Sequence, residues 1–284
     1  MTAPLVPGRP TAASRRRRAG LRLGTALALT VLLSGCDVEQ AYESALRFGL
    51  PEPISEQGEN IHDLYLASNA AALVVGVFVL FLILFAAIRY RKKSDALPRQ
   101  VRYNLPIEVL YTAVPFVIIS VLFYYTVLSQ NYVNELSESN KDGEPVAADV
   151  IEIGVVGFQW NWQFNYVQEG VQVIGETGRP AQLVLPTDTT IRFVQSSPDV
   201  IHSFWVPEWL FKRDVIPGRV NTFELEMHEE GEFVGRCAEL CGEKHAYMNF
   251  SLKVVSPEEY ESYIDGLQAD PNAEILTAPA GSSS

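Results

Sequence analysis

The sequence predicts an all-β sandwich or barrel of short strands, preceded by a hairpin of two membrane-spanning helices. Two observations carry this prediction. Apolar stretches at 66–88 and 107–128 are each long enough to cross a bilayer, which takes about 20 residues. From residue 150 onwards, apolar and polar residues alternate in short runs separated by Gly, Pro and Asp. At 284 residues, the chain has room for one or two domains.

Residues 1–35 have the pattern of a signal peptide. Four arginines at 15–18 precede the apolar run "LGTALALTVLL" at 23–33. The following "LSGC", which ends at Cys36, resembles the lipobox of bacterial lipoproteins, a family in which the chain is cut before the cysteine and lipid is attached to it. A short anchor that is never cut is the alternative. Residues 36–65 are predicted to be an exported N-terminal segment.

Residues 66–129 are predicted to form the transmembrane hairpin. Neither apolar stretch has a polar face, although buried helices of a soluble protein remain the alternative. Six basic residues lie in or beside the connecting loop: Arg89, Arg91, Lys92, Lys93, Arg99 and Arg102. The positive-inside rule therefore places this loop in the cytoplasm and the rest of the chain outside. Glu108, near the start of the second helix, is either a functional interfacial carboxylate or a helix-start charge favoured by the dipole.

Residues 130–256 are predicted to form the β-domain. The runs "VIEIGVV" at 150–156, "TFELEM" at 222–227 and "FSLKV" at 250–254 alternate with period two, as half-buried strands do. This pattern predicts an antiparallel sandwich or barrel. Residues 257–284 are predicted to be a C-terminal helix and a disordered tail.

The charge of the chain is uneven. From Gln130 to the end there are 25 acidic and 9 basic residues, a net charge of −16, within a chain whose total is −12. This acidic half argues against nucleic acid as a partner and favours a partner with a basic surface.

Scarce metal-binding residue types are concentrated in "RCAELCGEKHAYMNF". Cys237, Cys241, His245 and Met248 follow one another at spacings of four, four and three, in a chain with only three Cys and four His. Three interpretations compete: a disulfide, which an exported protein allows; a zinc site, which has little use for a thioether; and copper, which accepts thiolate, imidazole and thioether ligands. His202 in "DVIHSFWVP" offers a further imidazole. The residue types favour copper.

The same stretch resembles a known family. "CAELCGEKHAYM" is similar to the C-x-E-x-C-x-x-x-H-x-x-M motif of cytochrome c oxidase subunit 2. "DVIHSFWVP", "GFQWNWQF" and "KRDVIPGR" resemble other motifs of this family, in the same order, so the resemblance covers roughly residues 66–263. It implies a cupredoxin-like Greek-key sandwich or barrel behind the two-helix hairpin.

The resemblance also implies a cofactor set. It implies a centre of two copper ions, held by His202, Cys237, Cys241, His245, Met248 and the backbone carbonyl of Glu239. The Glu239 side chain would reach a magnesium ion at the boundary with subunit 1, and a carboxylate oxygen suits that ion. Without the resemblance, Glu239 would be taken for a solvated loop residue.

Three further roles follow from the resemblance. An aromatic residue over the copper receives the electrons; Trp160 matches it best and Trp162 is second. On a strand the two indoles would share one face, where core packing is the ordinary alternative. Asp199 matches an acidic residue that docks the donor, although a solvated turn carboxylate would look the same. Glu108 matches a residue at the mouth of a proton channel into the neighbouring subunit.

The predicted function is that of the electron-accepting subunit of a haem–copper oxidase. It would take electrons from a c-type cytochrome and pass them to haem in subunit 1, where oxygen is reduced to water. The predicted location is the bacterial cell membrane, crossed more than once, with the copper domain outside. A copper carrier is the alternative, but it would not explain the hairpin and the two tryptophans. The quinol-oxidase branch lacks the copper ligands, and nitrous-oxide reductase lacks the hairpin.

Overall fold

The computed structural model describes residues 38–93, 95, 97, 100–137, 150–176, 178–269 and 274–275. The chain divides into two compact units, residues 1–49 and residues 50–284. In the first unit the described secondary structure is helix α1, Val38–Leu46. The predicted signal peptide, Cys36 and the predicted disordered tail, "APAGSSS" at 278–284, lie outside the described residues.

Two long apolar helices in the second unit correspond to the predicted hairpin. Helix α2 is Glu56–Arg89 and helix α3 is Leu105–Val133, and both are long and apolar enough to cross a membrane. Ser55 caps α2, because its side-chain oxygen accepts a hydrogen bond from the Gly58 amide at 3.1 Å. Since α2 begins at Glu56, the boundary predicted between residues 65 and 66 falls inside a continuous helix.

The hairpin is joined to the β-domain by backbone and side-chain hydrogen bonds. The Ile54 amide donates to the Glu208 carbonyl at 3.1 Å, and the Ile54 carbonyl accepts from the His228 amide at 3.1 Å. The two helices are themselves linked where the Ser129 hydroxyl donates to Asn60 Oδ1 at 2.5 Å. These contacts fix the start of α2 against the sheets.

The β-domain consists of two sheets of short strands. The strands are β1 Val150–Phe158, β2 Asn161–Tyr166, β3 Val171–Ile174, β4 Gln182–Pro186, β5 Thr190–Ser196, β6 His202–Val206, β7 Phe211–Val215, β8 Asn221–Glu226, β9 Gly231–Cys237, β10 Asn249–Val255 and β11 Glu274–Ile275. One sheet has the order β11-β3-β2-β1-β5-β8 and the other β4-β10-β9-β6-β7. The chain passes repeatedly from one sheet to the other, as in a Greek-key sandwich.

Two strand pairs are parallel, so the purely antiparallel arrangement predicted from the sequence was wrong for them. Strand β1 runs parallel to β5, with Ile153 opposite Phe193. Strand β10 runs parallel to β4, with Leu252 opposite Leu183. Alternation along a strand shows which face is buried but carries no information about the direction of its partner.

Buried aromatic rings fill the space between the sheets and extend to one end of the domain. Phe204 and Phe250 are stacked, with ring centroids 4.8 Å apart. The Trp162 ring packs edge-on against both, at 5.4 and 5.6 Å. It also lies 6.2 Å from the His202 ring. The core therefore supports this histidine directly.

The predicted alternation fails at Glu224. Phe223 and Leu225 on β8 are buried as predicted, but Glu224 between them is buried as well. Its carboxylate accepts a hydrogen bond from Arg192 Nε at 2.7 Å and one from the Ser137 amide at 2.9 Å. A buried carboxylate requires such partners, and here they come from a neighbouring strand and from the segment after α3.

Helix α4, Pro257–Ala269, follows β10 and confirms the helix predicted there. Tyr260 and Ile264 are its buried residues. Strand β11 follows α4 and pairs with β3, a strand that the sequence analysis did not predict.

Candidate metal centre

The pairing of β6 with β9 explains why distant ligands meet. These strands are antiparallel neighbours with Phe204 opposite Cys237, so His202 at the start of β6 lies beside the end of β9. The following loop returns to β10, and the Cys237 amide donates to the Met248 carbonyl at 3.0 Å. This hydrogen bond closes the base of a loop that contains Cys241 and His245.

The donor atoms of five residues converge at this end of the sandwich. Cys237 Sγ lies 3.8 Å from Cys241 Sγ and 3.9 Å from His202 Nδ1. Cys241 Sγ lies 3.6 Å from His245 Nδ1 and 3.7 Å from Met248 Sδ. His202 thus lies beside the Cys237 sulfur, and His245 and Met248 lie beside the Cys241 sulfur.

The cluster is buried and could hold a metal ion. His202 and Met248 have no exposed surface, and both cysteines are buried. Ligand atoms of His202, Cys237 and Cys241 all lie within 4.8 Å of one another. Both cysteines are free, and their sulfurs are well beyond the roughly 2.05 Å of a disulfide bond. The structure therefore favours the metal interpretation over the disulfide.

The chemistry of the donor set fits copper better than zinc. Two thiols, two imidazoles and a thioether are soft and intermediate donors of the kinds copper prefers. A structural zinc site takes four Cys or His ligands and would leave the Met248 sulfur without a role. Because five side chains meet around two sulfurs, the set offers more donors than one ion needs.

The backbone of Glu239 faces the cluster, whereas its side chain is exposed. Cys237 Sγ lies 3.2 Å from the Glu239 carbonyl oxygen. This carbonyl is therefore available as a sixth donor, as the resemblance implies. Glu239 as a residue is exposed.

The two thiols differ in their affinity for protons. Burial raises the pKa of Cys237, but hydrogen bonds with His202 and with the backbone of Ser203 outweigh this effect and lower it to about 6. Burial, followed by the charge of the Cys237 thiolate, raises the pKa of Cys241 to about 12. Cys237 therefore loses its proton more readily than Cys241, and a bound metal would displace the protons that remain, because metal ligands are deprotonated.

Asp199 holds the ring of His202 in place. Asp199 Oδ1 lies 2.9 Å from His202 Nε2, and the carboxylate also accepts hydrogen bonds from the amides of Gln159 at 2.7 Å and Val200 at 2.6 Å. An imidazole that donates from Nε2 has the lone pair of Nδ1 free, and Nδ1 faces Cys237. Burial would raise the pKa of Asp199, but the hydrogen bonds from His202 and these amides lower it.

Comparison with known proteins connects this geometry to a family. Residues 45–128 match the description "Cytochrome C oxidase subunit II, transmembrane domain", and residues 176–255 match "Cytochrome C oxidase subunit II, periplasmic domain". A Streptomyces coelicolor protein described as a probable cytochrome c oxidase subunit 2 is 40% identical over 88% of this chain and 84% of its own length. The cytochrome c oxidase subunit 2 of Mycobacterium tuberculosis is 36% identical over 88% of this chain and 82% of its own length. The chain belongs to the cytochrome c oxidase subunit 2 family.

A solved structure from the subunit 2 family also matches. The periplasmic domain of cytochrome oxidase subunit II from Bradyrhizobium japonicum is 31% identical and aligns over 43% of this chain and 94% of that domain, with a TM-score of 0.39. Family membership confirms the predicted resemblance and the cupredoxin-like fold. The chain is thus a subunit of a haem–copper oxidase, a membrane protein with a periplasmic domain.

The two tryptophans of the subunit 2 motif do not share a face of one strand, so that prediction was wrong. Strand β1 ends at Phe158 and β2 begins at Asn161, which places Trp160 in the hairpin turn between them. Trp162 is fully buried in the core, whereas Trp160 is half-buried. Trp160 Nε1 donates to the Cys241 carbonyl at 3.1 Å. Of the two indoles, only Trp160 is accessible from outside.

Glu108 forms a contact at the start of α3. The Asn104 amide donates to Glu108 Oε1 at 2.8 Å, so the side chain satisfies a free N–H at the beginning of the helix. This contact agrees with one of the two alternatives given for Glu108, a charge at the start of a helix. The channel role of Glu108 stays a prediction.

Sequence reasoning missed two residues of the centre and one contact of a third. It gave Asp199 a docking role without the contact to His202. It did not single out Gln159, whose side-chain Nε2 donates to the Cys241 carbonyl at 2.7 Å. It also passed over Gly157, where an added Cβ would lie 3.1 Å from the Trp162 ring and 3.3 Å from the His202 ring. The sequence feature that could have indicated Gly157 is its place at the start of the aromatic motif "GFQWNWQF", where a residue without a side chain allows close packing.

Proposed function

We propose that this chain is the electron-accepting subunit of a haem–copper terminal oxidase. It takes electrons from a c-type cytochrome and passes them to haem in subunit 1, where oxygen is reduced to water. The single observation that supports this proposal most strongly is the convergence of five side-chain donors around one sulfur pair, with Sγ–Sγ 3.8 Å. Bound copper would supply a one-electron redox couple at this position.

The residues that would hold two copper ions are those with donor atoms in the cluster: His202, Cys237, Cys241, His245, Met248 and, through its backbone carbonyl, Glu239. Each imidazole lies beside one of the two sulfurs, so the thiolates would be available to both copper ions. Asp199 keeps Nδ1 of His202 turned towards the sulfurs. The aromatic core around Trp162 excludes water from the inner side of the cluster.

Trp160 is the proposed point at which electrons reach the chain. Its indole is half-buried, and its N–H is hydrogen-bonded to the backbone of Cys241, one of the proposed ligands. A cytochrome docked against this indole is thus one hydrogen bond away from the ligand loop. Gly242 permits the close packing, because an added Cβ there would lie 3.1 Å from Trp160 Nε1.

Three further roles belong to the same proposal. The exposed carboxylate of Glu239 would bind magnesium at the boundary with subunit 1, a hard ligand for a hard cation. Asp199, whose side chain keeps 29% of its surface exposed, would contribute to donor docking as well as holding His202. Glu108 would lie at the mouth of a proton channel into the neighbouring subunit.

The proposed location is the bacterial cell membrane, with the chain crossing it twice. The basic residues in and beside the α2–α3 loop would face the cytoplasm, and the copper domain the outer side. We also propose that Cys36 becomes the lipid-bearing N-terminus of the mature chain. Mass spectrometry of the mature protein tests this step, and an intact Met1 or an unmodified Cys36 contradicts it.

Copper counting combined with electron spin resonance tests the central proposal. The full chain, purified within its oxidase complex and denatured only for the metal count, should carry two copper ions that are absent when the chain is removed. The resonance spectrum should show one unpaired electron shared between two copper nuclei. A single copper ion, or the spectrum of an isolated copper, would contradict the proposal.

A further inference from the structure

A cleft beside Trp160 has a balanced set of charges, although the β-domain as a whole is acidic. It has a volume of about 740 Å³, and its charged lining is Glu176, Glu243, Arg179 and Lys244. Two acidic and two basic residues make it locally neutral. The chain from Gln130 onwards, by contrast, has 25 acidic and 9 basic residues. The surface that adjoins the proposed electron-accepting indole is therefore less acidic than the domain as a whole.

One wall of the cleft is the turn between β3 and β4. Glu176 and Arg179 exchange two backbone hydrogen bonds, at 2.9 and 3.0 Å. The Asn161 side chain, next to Trp160 in the chain, donates to the Glu176 carbonyl at 3.0 Å. Gly175 allows this approach, because an added Cβ would lie 2.0 Å from Asn161 Oδ1. The backbone that carries Arg179 is thus fixed relative to Trp160.

The opposite wall is the ligand loop, where Lys244 extends over the indole. Lys244 Nζ lies 5.7 Å from the centroid of the Trp160 ring, within the range of a cation–π contact. Within the part of the chain that the structure describes, neither Lys244 nor Arg179 lies within salt-bridge distance of a carboxylate. Two cations without such a partner therefore border the surface that a docking donor must cover.

We infer that Lys244 and Arg179 select an electron donor that presents a carboxylate at the surface facing Trp160. The inference rests on the proposed function, because it concerns the donor of the same site. A donor with a basic surface is attracted by the acidic domain, but a lysine placed over the indole would meet Lys244. Like charges brought together at an interface are unfavourable, and such repulsion is a common source of specificity. A carboxylate at this point would pair with Lys244, and Arg179 in the same cleft would add to the attraction.

The test compares two forms of one cytochrome on the purified oxidase complex. The probes are a soluble c-type cytochrome with lysines around its haem edge and the same protein with those lysines succinylated, which reverses their charge. Oxygen uptake is measured with each, at about 150 mM salt, where charges more than about 8 Å apart are largely screened. Each rate is divided by the rate of the same variant with ascorbate and a small neutral mediator.

Lys244→Gln should change kcat/KM for the two cytochrome forms in opposite directions. Its kcat/KM for the lysine form should rise by about 2- to 5-fold and its value for the succinylated form should fall by a similar factor, as for one exposed charge pair. Arg179→Gln should act in the same directions with a smaller effect, because Arg179 does not contact the indole. The matched control is Lys253→Gln, since Lys253 does not line the cleft and pairs with Glu259 instead. Lys253→Gln should leave kcat/KM unchanged for both cytochrome forms.

Two results would overturn the inference. One is a Lys244→Gln variant in which kcat/KM changes in the same direction for both cytochrome forms. The other is a Lys244→Gln variant whose kcat/KM values change no more than those of Lys253→Gln. A wild-type complex that consumes oxygen with the mediator but oxidises neither cytochrome would contradict the proposed function instead. The two failures are therefore distinguishable.

Discussion

The two ends of the β-domain use buried polar groups in opposite ways. Strand β2 runs from Trp162 beside the ligand cluster to Tyr166 at the far end. At the cluster, the sulfur atoms lie 3.6–3.9 Å from one another and from the imidazole nitrogens, and sulfur is a weak hydrogen-bonding atom. At the far end, the Tyr166 hydroxyl accepts from the Val184 amide at 2.9 Å and donates to the Val184 carbonyl at 3.2 Å.

This difference separates polar groups that stabilise the fold, such as the Tyr166 hydroxyl, from the thiols of the cluster, which are suited to binding a metal. Tyr166 is fully buried, burial raises its pKa well above the ordinary value, and its hydroxyl is satisfied by the backbone. The thiols of Cys237 and Cys241 are weak hydrogen-bond donors and acceptors, so their contacts with each other contribute little to folding. We therefore expect changes at the cluster to affect metal binding first, and changes at the far end to affect stability first.

Replacing one of the two sulfurs that we propose to be shared by two copper ions should have the largest effect. In Cys241→Ser the hydroxyl oxygen cannot replace a thiolate shared by two metal positions, so the two-copper spectrum should disappear. Cytochrome oxidation should fall by more than about 100-fold, beyond the range seen when only outer contacts of a metal site are lost. Copper counting and spin resonance on the purified complex measure the change. Retention of two coppers in this variant would contradict the bridging role.

Asp199→Asn should weaken the site less. The Asn side chain has nearly the same shape as Asp but lacks the negative charge that orients His202. Its NH₂ group would also face a backbone N–H that now donates to the carboxylate. Copper affinity should fall by about 10- to 100-fold. Competition with a copper chelator measures it, and Asp188→Asn, at another exposed turn, is the control. If Asp199 served only donor docking, copper affinity would be unchanged and only the salt dependence of docking would be lost.

Trp160→Phe should leave copper in place and slow electron transfer. The phenyl ring has no N–H to donate to the Cys241 carbonyl, so one contact between the surface and the ligand loop is lost. Transfer within the docked complex should slow by about 10- to 100-fold, while docking affinity stays nearly constant. Stopped-flow reduction of the complex by a c-type cytochrome measures both.

Trp162→Phe is the matched control for this change. Trp162 is fully buried among Phe204, Phe250 and His202, so its replacement should lower stability rather than the transfer rate. A normal rate in Trp160→Phe together with a slow rate in Trp162→Phe would show that the wrong indole was chosen.

The ligand loop could be predicted from the sequence because its information is local. Cys237, Cys241, His245 and Met248 lie within twelve positions, and one turn of chain suffices to bring them together. The two helices were equally clear, since their apolar stretches need no partner to be recognised. The start of α2 was missed because six of its first ten residues are polar or charged, and because this turn is stabilised by Ser55 and by contacts with the β-domain.

Features that depend on strand pairing could not be predicted. The parallel pairs β1–β5 and β4–β10 join segments far apart in sequence. The burial of Glu224 depends on Arg192 across the sheet, and no periodicity along β8 reveals it. The same holds for Asp199, whose contact with Gln159 requires the β1–β2 turn to lie beside the start of β6. Tertiary contacts decide each of these cases.

Tyr166→Phe should have the smallest effect on function, and it isolates the far end of the domain. Removing the hydroxyl leaves the Val184 amide and carbonyl without this buried partner, which should lower the free energy of unfolding by about 1–3 kcal/mol. The midpoint of thermal unfolding of the full chain in detergent measures this loss. Tyr42→Phe removes a hydroxyl from a tyrosine that is 62% exposed, and it should leave the midpoint unchanged. Copper content and the resonance spectrum should be normal in both variants. A loss of copper in Tyr166→Phe with an unchanged midpoint would contradict the division between the two ends, because it would mean that the far end shapes the ligand cluster directly.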